Sequence, residues 1–235
     1  MKASDYFTLP ESLAPFAAFF RAEVEPWEWL KQIEPALASW HFDPGSPRRF
    51  APGLPADIPA GVHIEGPVYF HPTVKFPSYA TICGPVWIGP DSVIRPGAVI
   101  RSHVITGAHC VLGTSCEYKH SLLLDHVETA HFNYVGDSVL GNRAHLGAGA
   151  ICSNLRLDRQ PVVIRGPEAN YETGLRKFGA IVGDGAEVGC NAVLNPGTLL
   201  GRRSLVMPAV AFGGLLPEAT IAKMRAGVVQ IPRRD

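Results

Sequence analysis

The sequence predicts a mainly β fold, a β-solenoid, on three observations. Aliphatic residues recur every six positions over most of the chain. The fifth position of each hexad is small or β-branched. Gly and Pro are plentiful, 24 and 21 among 235 residues, as a chain of short strands and frequent turns requires. A period of six is neither helical nor the plain alternation of an ordinary strand. It fits short flat sides in which the aliphatic residue points into a narrow core and the small residue sits beside a tight corner. Three hexads, 18 residues, close one triangular coil, and coils stack at the strand spacing of roughly 4.8 Å.

The elements follow in chain order. Residues 1–60 read as an N-terminal helical cap followed by a Pro-rich linker. Pro10-Glu11-Ser12-Leu13 opens a first short helix with Phe16, Phe19 and Phe20 on its apolar face. Pro26 suits the first turn of a second helix, in which Trp27, Leu30, Ile33 and Leu37 recur at helical spacing and Pro35 introduces a kink or an early end. The expected job of this segment is to plug one open end of the solenoid, because stacked repeats need a cap. Residues 41–60 are dense in Pro and Gly and read as linker.

The solenoid itself is expected over residues 61–216. From Ile82 the hexads begin at Ile82, Ile88, Ile94, Ile100, Thr106 and Leu112, with Val86, Ser92, Ala98, Val104, Cys110 and Cys116 at the fifth position. Val62, Val68 and Val74 begin earlier hexads. The phase resumes at Leu123, Thr129 and Val135, slips by one to Leu140 and Leu146, and runs again from Val182 to Phe212. Cys110 and Cys116 therefore read as core residues. Residues 156–178 break the rhythm and form an inserted loop carrying Arg156, Arg159, Arg165, Arg176 and Lys177, either a phosphate contact or a solvated face. Residues 217–235 read as a short helix opened by Pro217 and a tail.

Composition narrows the function. Lys plus Arg equals Asp plus Glu at 21 each, so no basic excess points to nucleic acid. No apolar run approaches the roughly 20 residues of a membrane span, and the N-terminus lacks the apolar core of a signal peptide. Five cysteines without a C-x-x-C pair read as free thiols in a reducing compartment, so a cytoplasmic protein without structural metal is expected.

Polar residues interrupt the rhythm between Cys116 and Asn154, and chemistry is expected there. Glu117 and Lys119 form a pair, and His131 precedes Tyr134 by three residues. Arg95 and His131 are two coils apart, which places them near one corner at roughly 10 Å. That span suits a sugar phosphate, with the anion near Arg95 and the reacting group near His131. A neutral histidine can take the proton of an attacking amine at neutral pH.

At these residues the sequence resembles the acetyltransferase domain of the bifunctional glucosamine-1-phosphate N-acetyltransferase/UDP-N-acetylglucosamine pyrophosphorylase enzymes. The matching pieces are I-R-P-G-A at 94–98, E-Y-K at 117–119, H-F-N-Y-V-G-D at 131–137 and L-G-A-G-A-I-C-S-N-L at 146–155. N-L-R-L-D at 154–158 and R-K-F-G-A-I-V-G-D at 176–184 fit the archaeal-type members. The resemblance covers about residues 62–215 and implies a left-handed parallel β-helix of hexapeptide repeats, assembled as a homotrimer. It implies His131 as general base, Arg95, Lys119 and Tyr134 as sugar-phosphate contacts, and Glu117 and Asn154 as hexosamine contacts. His145 stands in that substrate site where many bacterial members have Asn, and Leu155 replaces a Tyr. Acetyl-CoA, as co-substrate, is implied near Cys190, Ala192 and Pro208, with Cys190 replacing a Ser.

The implied function is acetyl-CoA-dependent N-acetylation of an amino-sugar phosphate, glucosamine 1-phosphate first, in UDP-N-acetylglucosamine biosynthesis. About 60 residues precede the first coil and hold no Gly-rich phosphate loop. Nucleotidyl transfer is therefore expected of a separate nucleotidyltransferase and not of this chain. Two alternatives compete: a γ-carbonic-anhydrase-like zinc enzyme using His103, His109, His120, His126 or His131, and a non-catalytic sugar-nucleotide-binding β-helix.

Overall fold

The computed structural model describes residues 1–40, 58–166 and 169–224. It is mainly β, a parallel β-helix consistent with the left-handed hexapeptide type. Eight coils build three parallel sheets. Sheet A runs from Gly61–Glu65 to Ala211–Phe212, and sheet B from Val68–Phe70 to Leu215–Leu216, with eight strands each. Sheet C has seven, from Val93–Ile94 to Ile221–Ala222.

Register follows the sequence rhythm closely. Successive coils pair residues 18 apart at first, as in Thr81↔Val99 and Val99↔Glu117. Two coils are one residue shorter, pairing Glu117↔Tyr134 and Tyr134↔Ile151. The next pairing, Ile151↔Val193, spans the insertion. Inside the prism the aliphatic positions stack: Ile82, Ile100, Leu123, Leu140, Leu194 and Leu200 are all fully buried. Cys110, Cys116 and Cys152 all lie in the prism core, and burial pushes the Cys110 and Cys152 thiols up to about 12.

Corners explain many of the histidines. Each corner needs one residue in the left-handed region, and the chain often meets that need without glycine. His103, His109, His120 and His126 all have positive φ, between 46° and 65°, as do Asp91, Asp137 and Asn191. These residue types tolerate that conformation better than most.

A second core lies outside the prism. The segment from Glu28–Ser39 forms helix α1, preceded by a 3₁₀ turn at Glu11–Phe16. Leu30, Ile33 and Leu37 bury one face of α1, each contributing roughly 1.5–3 kcal/mol of burial. They pack with Trp87, Ile105, Leu122, Val139, Ile181 and Leu199, the outward residues of sheet B. The N-terminal segment thus covers a flank of the solenoid; it does not plug an end as expected. The reason is that sheet B is apolar on both faces and would otherwise expose its outer one. Pro35 sits inside α1 without ending it, since the helix continues to Ser39.

The insertion contributes to the same cover. Val163–Arg165 and Asn170–Glu172 pair as an antiparallel hairpin, and Val162, Ile164 and Phe178 join the second core. Tyr171 packs on Trp27 with ring centroids 5.6 Å apart. The helix expected after Leu216 is absent over the described residues 217–224. Leu205↔Ile221 pairing shortens the last coil to 16 residues, so Ile221–Ala222 continues sheet C instead. The linker 41–57 and the tail from 225 lie outside the described residues. No helix among the described residues is long and apolar enough to cross a membrane.

Candidate active site

Sheet A carries no cover from the N-terminal segment, and the polar interruptions gather at its two edges. At the edge shared with sheet B, three rungs stack Arg101, Lys119 and Gly136, with Asp137 the next residue after the last of them. Arg101 donates its backbone N–H to Tyr118, and Lys119 pairs with Gly136. The Arg101 guanidinium holds Glu117 at 2.8 Å. Tyr134 lies beside Glu117 in register.

Asp137 is the hub of this edge. It is 5% exposed, and three side-chain nitrogens surround its carboxylate. Lys119 Nζ stands 3.5 Å away, His120 Nδ1 stands 3.1 Å away, and the Asn154 amide donates to the same oxygen that Lys119 approaches. Burial alone would raise the Asp137 carboxyl; the contacts of His120 and Asn154 and the charge of Lys119 outweigh it and hold the group below the usual carboxylate range. The Asn154 amide also donates to the Tyr134 hydroxyl at 3.2 Å. Burial raises the Tyr134 hydroxyl, and the Asp137 and Glu117 charges add to that, so it stays protonated at neutral pH.

Gly136 makes room for the cluster. A Cβ there would fall 2.5 Å from the Tyr134 hydroxyl and 2.8 Å from the Asn154 amide nitrogen. Behind His120 lies His103, with ring centroids 6.1 Å apart. Burial lowers the His103 imidazole, against the raising effect of Glu34 from α1.

His131 occupies the opposite edge of sheet A, shared with sheet C, at the end of strand Glu128–His131. It is exposed, beside Phe132, which is 62% exposed. Arg95 reaches across two rungs to the Ala130 carbonyl at 3.5 Å, so Arg95 and His131 share a corner as the coil arithmetic requires. Arg95 is therefore separated from Lys119 by the width of the sheet. Only Phe132 and Asn133 separate His131 from Tyr134, the first residue of its strand in sheet A.

A third feature lies on sheet C. His145, Glu187, Cys190, Met207 and Pro208 line a cleft of about 250 Å³ together with Leu205 and the backbone of Gly147 and Gly189. Cys190 and Pro208 thus come together. Ala192 is fully buried, with its side chain in the prism core, and can offer a ligand only backbone. His145 pairs in register with Glu187 and belongs to this cleft, apart from Glu117, Lys119, Tyr134 and Asn154.

Arg101 was not singled out by the sequence, His120 entered only as a histidine of the zinc alternative, and Asp137 only as the last residue of the H-F-N-Y-V-G-D motif. Arg101 had a usable signal, lying one 18-residue coil before Lys119. The histidines of the zinc alternative are dispersed: His103 and His120 on the A–B edge, His109 and His126 stacked at 4.7 Å on the B–C edge, and His131 on the C–A edge. Among the described residues no three His, Cys, Asp or Glu side chains gather as metal donors. In the insertion, Arg156 forms a forked pair with Asp158, whose carboxyl is held down to about 2 by that contact.

Comparison with known proteins agrees with this architecture. The chain is 34% identical over 90 residues to the bifunctional protein GlmU of Methanococcus vannielii, a match covering 38% of this chain and 22% of that protein. It is 33% identical over 92 residues to a bifunctional sugar-1-phosphate nucleotidylyltransferase/acetyltransferase of Sulfurisphaera tokodaii, covering 39% and 23%. It is 37% identical over 87 residues to the putative uncharacterized acetyltransferase YaiX of Escherichia coli, covering 37% and 38%. The match thus spans less than a quarter of either bifunctional protein. The model of the GMPPB C-terminal domain matches residues 82–206, more than half of the chain. The chain belongs to the GMPPB C-terminal domain family.

Proposed function

We propose that this chain is an acetyl-CoA-dependent N-acetyltransferase acting on an amino-sugar 1-phosphate, with glucosamine 1-phosphate the preferred acceptor and galactosamine 1-phosphate the next. The reading is carried by one observation. A cationic edge, Arg101 and Lys119 with the Tyr134 hydroxyl, lies across one coil from an exposed histidine. The acetyltransferase names of the matched relatives support it.

In this reading Lys119, Arg101 and Tyr134 hold the phosphate, and Glu117 and Asn154 hold the sugar. The amine then faces His131. The amine nitrogen attacks the thioester carbonyl, the new N–C bond forms, and His131 takes the proton. The C–S bond breaks, and the departing thiolate receives that proton. A positioned base contributes typically 10²–10⁴-fold to such a step. Arg95 supports the strand carrying His131 through the Ala130 carbonyl. The apolar cleft at Cys190 and Pro208 suits the pantetheine arm of the cofactor.

That cleft lies on a different face from sheet A, so a complete site requires faces of adjacent chains. A homotrimer meets this need, and Tyr79, Val99 and Ile151 leave sheet A apolar enough to be covered by a neighbour. Thiol release from acetyl-CoA, measured across a panel of amino-sugar phosphates, tests the reaction. Light scattering tests the assembly. A monomer of about 25 kDa that is fully active would contradict the shared site.

A further inference from the structure

Asp137 is matched by no role in the chemistry above, yet it touches three of the groups around the substrate. We infer that Asp137 is a positioning residue that fixes the hydrogen-bond polarity of the sugar-phosphate site through Lys119, His120 and Asn154. The inference rests on the functional reading just given.

The argument is one of donors and acceptors. An ionised carboxylate only accepts, so every group that contacts Asp137 must present a hydrogen to it. Asn154 therefore turns its amide nitrogen inward, with one hydrogen on Asp137 and the other on the Tyr134 hydroxyl. Two consequences follow. The Tyr134 oxygen is already an acceptor, so its own hydrogen is free to be donated outward. The Asn154 carbonyl oxygen, which has no partner among the described residues, is left as an outward acceptor.

His120 brings Nδ1 to 3.1 Å from the second carboxylate oxygen without completing a hydrogen bond there, and for Asp137 to set its polarity the hydrogen must lie on Nδ1. Lys119 Nζ, which has only hydrogens to offer, stands 3.5 Å from the same hub. The site then offers donors at Lys119 and Tyr134 and an acceptor at Asn154. That pattern matches an anion oxygen beside a sugar hydroxyl or amine. Replacing Asp137 by a group that can also donate would let Asn154 turn over, which exchanges donor for acceptor at both outward positions.

The test uses the full chain carrying Asp137→Asn, with glucosamine 1-phosphate as the probe. The expected result is an affinity for the sugar phosphate lowered about 10–100-fold, the scale of losing charge-assisted hydrogen bonds. Acetyl-CoA affinity should be unchanged, and KM should rise more than kcat falls. ¹⁵N spectra give an independent readout: His120 should carry its hydrogen on Nδ1 in the wild type and lose that preference in Asp137→Ala. Wild-type affinity in Asp137→Asn would overturn the inference. So would an equal loss of both ligands, which marks a purely structural role, or a wild-type His120 with its hydrogen on Nε2. If the wild type binds no amino-sugar phosphate, the functional reading fails, and the His120 tautomer alone still decides whether Asp137 sets the polarity.

Discussion

Leu122→Ala separates two ways in which the N-terminal segment can serve a solenoid. Leu122 points out of sheet B, away from the prism core, and is nevertheless fully buried, because helix α1 and its neighbours lie over it with Ile105 and Val139 alongside. Were the segment an end plug, Leu122 would face solvent, and its truncation would fall within about 0.5 kcal/mol of neutral. Under a flank cover it leaves a cavity and should cost about 2–5 kcal/mol. Leu157→Ala is the control, a fully exposed residue of the insertion. Urea unfolding followed by tryptophan fluorescence is the assay. All four tryptophans, Trp27, Trp29, Trp40 and Trp87, sit in or against the N-terminal cover. The midpoint should fall by about 1 M or more for Leu122→Ala and hardly move for Leu157→Ala. Equal shifts for the two variants would refute the flank packing.

Three further outcomes are expected. His131→Ala should lower turnover by about 10²–10⁴-fold with acetyl-CoA binding nearly unchanged, while His126→Ala, on the B–C edge, should leave turnover near wild type; steady-state rates on assembled protein decide this. Gly136→Ala should leave the thermal midpoint almost unmoved but lower kcat/KM for the sugar phosphate, because the added methyl displaces only the ends of Tyr134 and Asn154. Asp137 has a depressed carboxyl, so its stabilising contribution is present above the unfolded value near 4 and is lost as pH falls through its lower folded value. The stability difference between wild type and Asp137→Asn should therefore be constant near neutrality and shrink below about pH 4, as urea titrations over pH would show.

The solenoid was legible because its inward positions are confined to aliphatic or small residues, and a shape with three sides repeats that confinement every six residues. Even the two single-residue slips, before Leu123 and before Leu140, mark true shortened coils. The last coil was not legible. Its side between Phe212 and Leu216 is too short to keep the rhythm, so Pro217 and Ala219 suggested a helix where Ile221 completes a rung. The cover on sheet B was missed for a different reason. An amphipathic helix shows that it has an apolar face, not what lies against it. The complementary signal was present in Trp87, Ile105, Leu122 and Leu199, a run of large apolar residues at outward positions of sheet B. In the candidate site, the motif residues Glu117, Lys119, Tyr134 and Asn154 do meet, whereas Asp137 carried no role of its own within the H-F-N-Y-V-G-D motif. Its role shows only when Lys119, His120 and Asn154, 17 and 18 positions either side of it, close around it in space.

The most direct test of the account is the ratio of kcat/KM for glucosamine 1-phosphate to that for free glucosamine, both with acetyl-CoA, in the wild type and in Lys119→Ala. A site built around a phosphate should favour the phosphorylated acceptor by roughly 10²-fold or more, since the unphosphorylated sugar leaves the Lys119 edge without its anion. The ratio should collapse towards unity in Lys119→Ala while the slow reaction of glucosamine stays nearly the same. A wild-type ratio near one, or a ratio that survives the loss of Lys119, would contradict the assignment of this edge to the sugar phosphate.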